Sequence, residues 1–256
     1  MDKHEVKAGE LTAVVLAGGR GTRIAGLYPD LPKPLIPACG APFLHWVSAW
    51  LATQGLRDIV YSTGYLGQQI EDWVAGLEPA EGIRLRCRRE ETALGTGGGI
   101  LNCLDLCADT VLALNGDSML VADLAPLLAL LSGGRADGVL MGLEVADASR
   151  FGSMLIDEAG NLCEFSEKRP GPGVINGGVY LMRRRLFEGF PAGVPVSMEY
   201  DIIPGLIARG ARLAVHVIKD ASFIDIGTPE SVVLAEDFIA RNRRSFAFPF
   251  AALRGA

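Results

Sequence analysis

The stretch VVLAGGRGTRIAGLYPDLPKPLIP, residues 14–37, holds four glycines, two arginines, one lysine and four prolines in a chain of net charge -6. Glycines 18, 19 and 21 follow an apolar run, where backbone N–H groups can converge on an anion at close approach. Arg23 adds a guanidinium suited to bidentate phosphate contact, and Arg20 and Lys33 raise the local positive charge. Lys33 stands between Pro32 and Pro34, whose fixed φ values restrict where it sits. No Gly-Lys-Ser/Thr follows, so this is no Walker loop, and Ile24 stands where the third glycine of a dinucleotide fingerprint would fall. Alone, Gly-Gly is a tight turn; the clustered cations turn the reading toward phosphate.

The elements that must position these residues are legible in the apolar pattern. Residues 11–16, 58–62, 83–88, 110–114 and 138–145 read as strands, alternating with helices over 42–54, 67–75, 97–107 and 125–131. This β-α alternation predicts a Rossmann-like α/β fold, a mixed, mainly parallel sheet flanked by helices. Residues 153–156, 162–166 and 174–182 read as short strands of a small β-rich insertion. Helices over 198–209 and 230–241 flank a strand at 213–218. With no linker-like stretch, 1–256 reads as one domain, in two parts, 11–145 and 146–236, with a tail over 237–256. No six-residue repeat of a β-solenoid is present. Ligands of such sheets bind beyond strand C-termini, where the turn after Leu16 lies.

The motif LAGGRGTR followed by LPKPLIP resembles the signature of the sugar-1-phosphate nucleotidyltransferases. LGTGGGI (94–100), LNGDSM (114–119), SRFGSMLID (149–157), FSEK (165–168), INGGVYLM (175–182) and FIDIGTPE (223–230) match that family's motifs in order, across about residues 11–236. SMEYDIIP and FIDIGTPE look most like the enzymes that guanylylate heptose 1-phosphates, and next like mannose-1-phosphate guanylyltransferases. The resemblance implies attack of a sugar 1-phosphate on the α-phosphorus of a nucleoside triphosphate, GTP favoured, with pyrophosphate released. A phosphate whose second pKa is about 6 is already largely ionised at neutral pH. No general base is needed, which suits a chain whose only histidines are His4, His45 and His216.

By the same resemblance Asp117 and Asp225 are the Mg²⁺ ligands, although a lone strand-end aspartate is otherwise a turn former or cap. Arg23 clamps the β- and γ-phosphates, and Lys33 lies near the α-phosphate. Leu16, Ala17, Gly18, Gly19, Gly21 and Thr22, with Gly95, Thr96 and Gly97, are expected around the nucleotide. The 90–98 segment begins a helix that either helps bind phosphate or is a simple glycine-rich cap. Gly152, Glu167, Lys168, Asn176 and Gly177 match sugar-phosphate positions, so the resemblance makes 11–145 mainly the nucleotide-binding half and 146–236 mainly the sugar-phosphate-binding half.

Composition narrows the rest. Net negative charge argues against nucleic acid and acidic membranes as partners. The apolar run 119–131 is broken by Asp123 and Pro126, so it is no span, and the polar N-terminus carries no signal core. Five cysteines without a completing His or Cys pair read as free thiols in a reducing cytoplasm. A homo-oligomer, a dimer first, is expected. A glycosyltransferase would want Asp-x-Asp after the middle strand, where this chain has Asn115-Gly116-Asp117-Ser118. A non-catalytic nucleotide-sugar sensor would have lost Arg23, Lys33 or one aspartate.

Overall fold

The computed structural model describes residues 5–149, 153–166 and 170–246. In chain order the elements are β1 (Thr12–Ala17), β2 (Pro37–Ala38), β3 (Ala41–Pro42), α1 (Phe43–Thr53), β4 (Asp58–Thr63), α2 (Gly67–Ala75) and β5 (Arg84–Arg89). Then come α3 (Gly95–Cys103), β6 (Thr110–Asn115), β7 (Ser118–Val121), α4 (Ala125–Ser132) and β8 (Gly138–Val145). The remainder are β9 (Ser153–Ile156), β10 (Leu162–Ser166), β11 (Gly173–Arg183), α5 (Ile203–Ala208), β12 (Leu213–Ile218), β13 (Ser222–Asp225) and α6 (Pro229–Arg241).

Nine strands form one mixed sheet, neither a closed barrel nor a solenoid. Strands β5, β4, β1 and β6 run parallel, in register Val14 to Val60 and Val14 to Ala113. Strand β11 lies antiparallel between β6 and β8, and β12 joins β8 in parallel. The sequence pattern had grouped β11 with the β-rich insertion. Its continuous buried run from Gly177 to Met182 instead suits a strand covered on both faces. Only the β9–β10 pair stays at the margin, attached to β11 at Ile175 opposite Ser153.

The strand period of two divides the core across the sheet. Ala13, Val15 and Ala17 face the side closed by α1, α4 and α6, and Val14 faces α3 and α5. Helix α1 is buried from Phe43 to Ala52, as an all-round apolar helix must be. Each fully buried Leu, Val or Phe there contributes on the order of 1.5–3 kcal/mol.

Three elements were not legible from pattern. The tight β2–β3 hairpin turns on Cys39 and Gly40, both at positive φ (49° and 77°). Strands β7 and β13 pair, among the described residues, only with each other. The helix expected at 198–209 is a wide-wound turn, Met198–Ile202, followed by the short α5. Pro204 near the start of α5 lacks the amide that would tie it to the preceding turn.

Candidate active site

Because β1, β4, β5 and β6 are parallel, their exits gather at one end of the sheet. There the segment after β1 meets Gly64 after β4, Glu90 after β5 and Gly116 after β6. Tyr65 donates its amide to Gly18 O at 3.2 Å, and Gly116 donates to Leu16 O at 2.8 Å. Any Cβ at Gly64 or Gly116 would lie within 2.8 Å of those carbonyl oxygens, so both positions require glycine. Leu16 and Ala17 are thus pinned at the end of β1.

Beyond them the chain opens. The amides of Gly19, Arg20, Gly21 and Thr22 donate to no described residue. A side chain at Gly19 would meet nothing within 4 Å, while Gly21 sits at φ +58° against the Cβ of Lys33. Arg23 is exposed and forms no ion pair or side-chain hydrogen bond with any described residue. Arg20 lies over the Tyr65 ring at 6.0 Å, which directs its guanidinium toward the aromatic face. Four amides and one guanidinium without a partner among the described residues thus stand together in one turn, the kind of group set that suits an anion.

The charged centre is assembled by the small β7–β13 sheet. Asp225, the last residue of β13, stands opposite Ser118, and Ile226 donates its amide to Asp117 O at 3.0 Å. The two carboxylates therefore arrive side by side from positions over a hundred residues apart. Lys33 Nζ sits between them, 2.7 Å from Asp117 Oδ2 and 3.3 Å from Asp225 Oδ1. The lysine side chain is only 8% exposed, against 40% and 35% for the aspartates. The lysine is buried but both carboxylates are open to water, which screens the pairing and holds each ion pair to about 1 kcal/mol of stability or less. Gly227 N also donates to Asp225 Oδ1, leaving Asp117 Oδ1 and Asp225 Oδ2 without a side-chain partner among the described residues. Two carboxylates already converging on one cation form a donor set suited to Mg²⁺, which takes one or two carboxylates plus phosphate and water. No cluster of three or more metal-ligating side chains is found among the described residues.

The second glycine-rich run is built differently. At the start of α3, Gly97 and Gly98 donate their amides to Val196 O, at 2.8 and 2.9 Å. A Cβ at Gly95, where φ is +72°, would lie 2.8 Å from the same oxygen. Gly97 and Gly98 thus commit their amides to packing, while the amides of Gly95 and Thr96 donate to no described residue. Thr96 is drawn into this contact too: Met198 N donates to its hydroxyl, which donates to Glu199 Oε2.

Of the residues expected at the sugar phosphate, Asn176 is half-buried on β11 beside an irregularity in the β8 register between Asn176 and Tyr180. Gly177 is buried, and a Cβ there would lie 2.6 Å from Leu120 Cδ2 and 2.9 Å from Met141 O. Its smallness is thus used in packing. Gly152, Glu167 and Lys168 lie outside the described residues.

Three polar residues of this region were given no role by the sequence, although Tyr180 lies in INGGVYLM, Glu199 in SMEYDIIP and Glu90 in the 90–98 segment. Glu90 lies beneath the opening turn, accepting from Ser62 Oγ at 2.9 Å and Leu94 N at 3.0 Å. Glu199 and Tyr180 join Thr96 to Asn176. A cavity of about 1040 Å³ lies at the other end of the sheet, lined by Arg183, Arg184, Arg185 and Arg212 but equally by Glu10, Asp109, Asp137 and Glu188. Its charges cancel, and it is remote from the convergent strand ends. No described helix is long and apolar enough to cross a membrane.

A parallel-sheet crevice with an anion cradle and paired carboxylates defines a nucleotide-transferring site, and the nucleotidyl transferase family model matches residues 12–242; the chain belongs to that family. It is 36% identical over 250 residues to the mannose-1-phosphate guanylyltransferase of Mycobacterium tuberculosis, covering 96% of this chain and 68% of that one. It is 30% identical over 222 residues to the D-glycero-alpha-D-manno-heptose 1-phosphate guanylyltransferase of Campylobacter jejuni, covering 86% and 96%. Among solved structures, HddC from Yersinia pseudotuberculosis in complex with GMP-PN matches with a TM-score of 0.78 and 33% identity, covering 89% of this chain and 98% of that one.

Proposed function

We propose that the chain transfers the guanylyl group of GTP to a sugar 1-phosphate, a heptose 1-phosphate of manno configuration first, and releases pyrophosphate. An oxygen of the sugar phosphate attacks the α-phosphorus, and the bond from that phosphorus to the oxygen bridging to the β-phosphate breaks. The observation that carries this reading is the convergence of Asp117 and Asp225 on one cation beside the open turn. Asp117 and Asp225 would hold Mg²⁺, which when bound neutralises phosphate charge.

The protein's own part is placement and charge compensation. The amides of residues 19–22 and Arg23 receive the β- and γ-phosphates. Lys33, fixed by Pro32 and Pro34, faces the α-phosphate from the buried side. Asn176, with Gly152, Glu167 and Lys168 by resemblance, holds the sugar phosphate. A cytoplasmic, dimeric enzyme supplying a nucleotide-sugar for surface polysaccharide accompanies this reading.

The 36% identity to a mannose-1-phosphate guanylyltransferase favours mannose 1-phosphate as a second reading; the two acceptors share the manno ring. Pyrophosphate release with GTP, UTP, dTTP and ATP against heptose, mannose, glucose and N-acetylhexosamine 1-phosphates separates them. The expected result is turnover with GTP and a manno-configured acceptor, heptose exceeding mannose in kcat/KM. Release with UTP or dTTP alone overturns the guanylyl assignment.

A further inference from the structure

A chain of hydrogen bonds runs from the start of α3 to the sugar side of the site. Thr96 Oγ1 donates to Glu199 Oε2 at 3.1 Å, and Ser197 Oγ donates to the same oxygen at 3.0 Å. Tyr180 Oη donates to Glu199 Oε1 at 2.8 Å. Asn176 Nδ2 donates to Tyr180 Oη at 2.6 Å, and Gly178 N donates to Asn176 Oδ1 at 3.0 Å.

The direction of this chain follows from donor and acceptor chemistry. An ionised carboxylate only accepts, so the Tyr180 proton must point to Glu199. Tyr180 is 1% exposed, and burial together with the Glu199 charge raises its pKa well above the usual tyrosine value, so the hydroxyl keeps that proton. Its oxygen is then left to accept, which only the Nδ2 end of Asn176 can satisfy. The carboxamide must therefore turn Oδ1 toward Gly178 N, where it is received. One Nδ2 hydrogen and one Oδ1 lone pair remain to face outward.

The segment carrying Glu199 is itself held in place. Gly97 and Gly98 donate to Val196 O, Val196 N donates to Leu94 O at 2.8 Å, and Met198 N donates to Thr96 Oγ1 at 2.9 Å. A helix start beside the expected nucleotide thus fixes a carboxylate that fixes a carboxamide beside the expected sugar.

We propose that Glu199 is a positioning residue for the sugar phosphate: through Tyr180 it sets which face the Asn176 carboxamide presents to the sugar hydroxyls. This rests on the reading above that Asn176 contacts the sugar phosphate. Glu199 touches no substrate in this assignment. Its carboxylate acts by being unable to donate.

Glu199→Gln retains size but lets the Nε2 end donate to Tyr180 Oη, so the Tyr180 proton turns back toward Asn176 and the carboxamide is driven to flip. The expected result is a roughly tenfold rise in sugar 1-phosphate KM, about 1.4 kcal/mol, with triphosphate KM within twofold. Tyr180→Phe, which removes the relay, should give the same split. The deciding measurement is a double-mutant cycle with Asn176→Ala, each variant checked for an unchanged circular dichroism spectrum. Asn176→Ala alone should raise the sugar phosphate KM, and adding Glu199→Gln should then change it less than twofold. A full tenfold effect of Glu199→Gln in the Asn176→Ala background overturns the proposal, as does a rise confined to triphosphate KM. An unchanged sugar phosphate KM in Asn176→Ala would overturn both the relay and the placement of Asn176 at the sugar. A normal rise there with no effect of Glu199→Gln would overturn the relay alone.

Discussion

Two glycine-rich runs face the same crevice and look alike in sequence, yet they are opposite in structure. Residues 18–21 carry amides with no described partner, and a side chain at Gly19 would enter open space. Residues 95–98 are filled by the chain from Val194 to Ile202, with Val196 O accepting two of their amides. The first is open because the bonds from adjacent loops fall on the carbonyl oxygens of Leu16 and Gly18, which leaves the amides from Gly19 onward without a described partner. The second is closed because its glycines admit another backbone. Glycine content alone does not distinguish a ligand cradle from a packing contact; what a Cβ would strike does.

The largest effect expected on the open side comes from the carboxylates beside it. Asp117→Asn preserves shape and removes a charge from the cation centre, and should lower kcat on the order of a thousandfold with Tm nearly unchanged. Pyrophosphate release at saturating Mg²⁺ checks this, and near-normal turnover would remove Asp117 from the metal. Arg23→Ala removes an exposed guanidinium that supports no described contact. It should lower kcat/KM for the triphosphate roughly a hundredfold and leave thermal unfolding alone. An effect on the sugar phosphate KM only would place Arg23 on the wrong substrate.

The contrast between the runs is sharpened by adding one carbon to each. Gly95→Ala meets Val196 O at 2.8 Å from a left-handed backbone. It should destabilise the fold by about 2–3 kcal/mol, or roughly 4–12 °C in Tm. Gly19→Ala meets nothing and should shift stability by less than about 0.5 kcal/mol while raising triphosphate KM. Scanning calorimetry with steady-state kinetics reads both; equal loss of stability would erase the distinction.

The smallest effect concerns the thiols on the closed side. Burial pushes Cys103 and Cys107 up to about 12, so at pH 8 both stay protonated and slow to alkylate; the barrier falls only as pH approaches that value. Cys163 is exposed and should be modified first, read by peptide mass spectrometry. Alkylation of Cys103 in the folded protein as fast as Cys163 would contradict that burial.

How much of this was legible in the residues depended on how local the cause is. Helix α2 over Gly67–Ala75 and strand β8 over Gly138–Val145 follow from periodicity within the segment itself. Strand β13 does not, because four residues from Ser222 to Asp225 are a strand only by pairing with β7, a hundred positions earlier. The site divides in the same way. Arg23, Lys33, Asp117 and Asp225 were marked by motifs, but that Lys33 lies between the two aspartates rests on the β7–β13 pairing. Glu199 and Tyr180 lie in the motifs SMEYDIIP and INGGVYLM, but their role was not legible, since a glutamate in a turn and a tyrosine in a strand are ordinary until Thr96 and Asn176 are brought beside them. Glu90, likewise, gains meaning only from the approach of Ser62 and Leu94.

The division between the open and the closed run is tested most directly by amide hydrogen exchange, resolved by residue, with and without Mg²⁺ and a non-hydrolysable GTP analogue. Without nucleotide, the amides of Gly19, Arg20, Gly21 and Thr22 should exchange rapidly, and those of Gly97 and Gly98 should already be protected by Val196 O. Adding the analogue should slow the first group and leave the second as it was. Unchanged exchange at 19–22 together with new protection at 97–98 would contradict the assignment of the triphosphate to the opening turn.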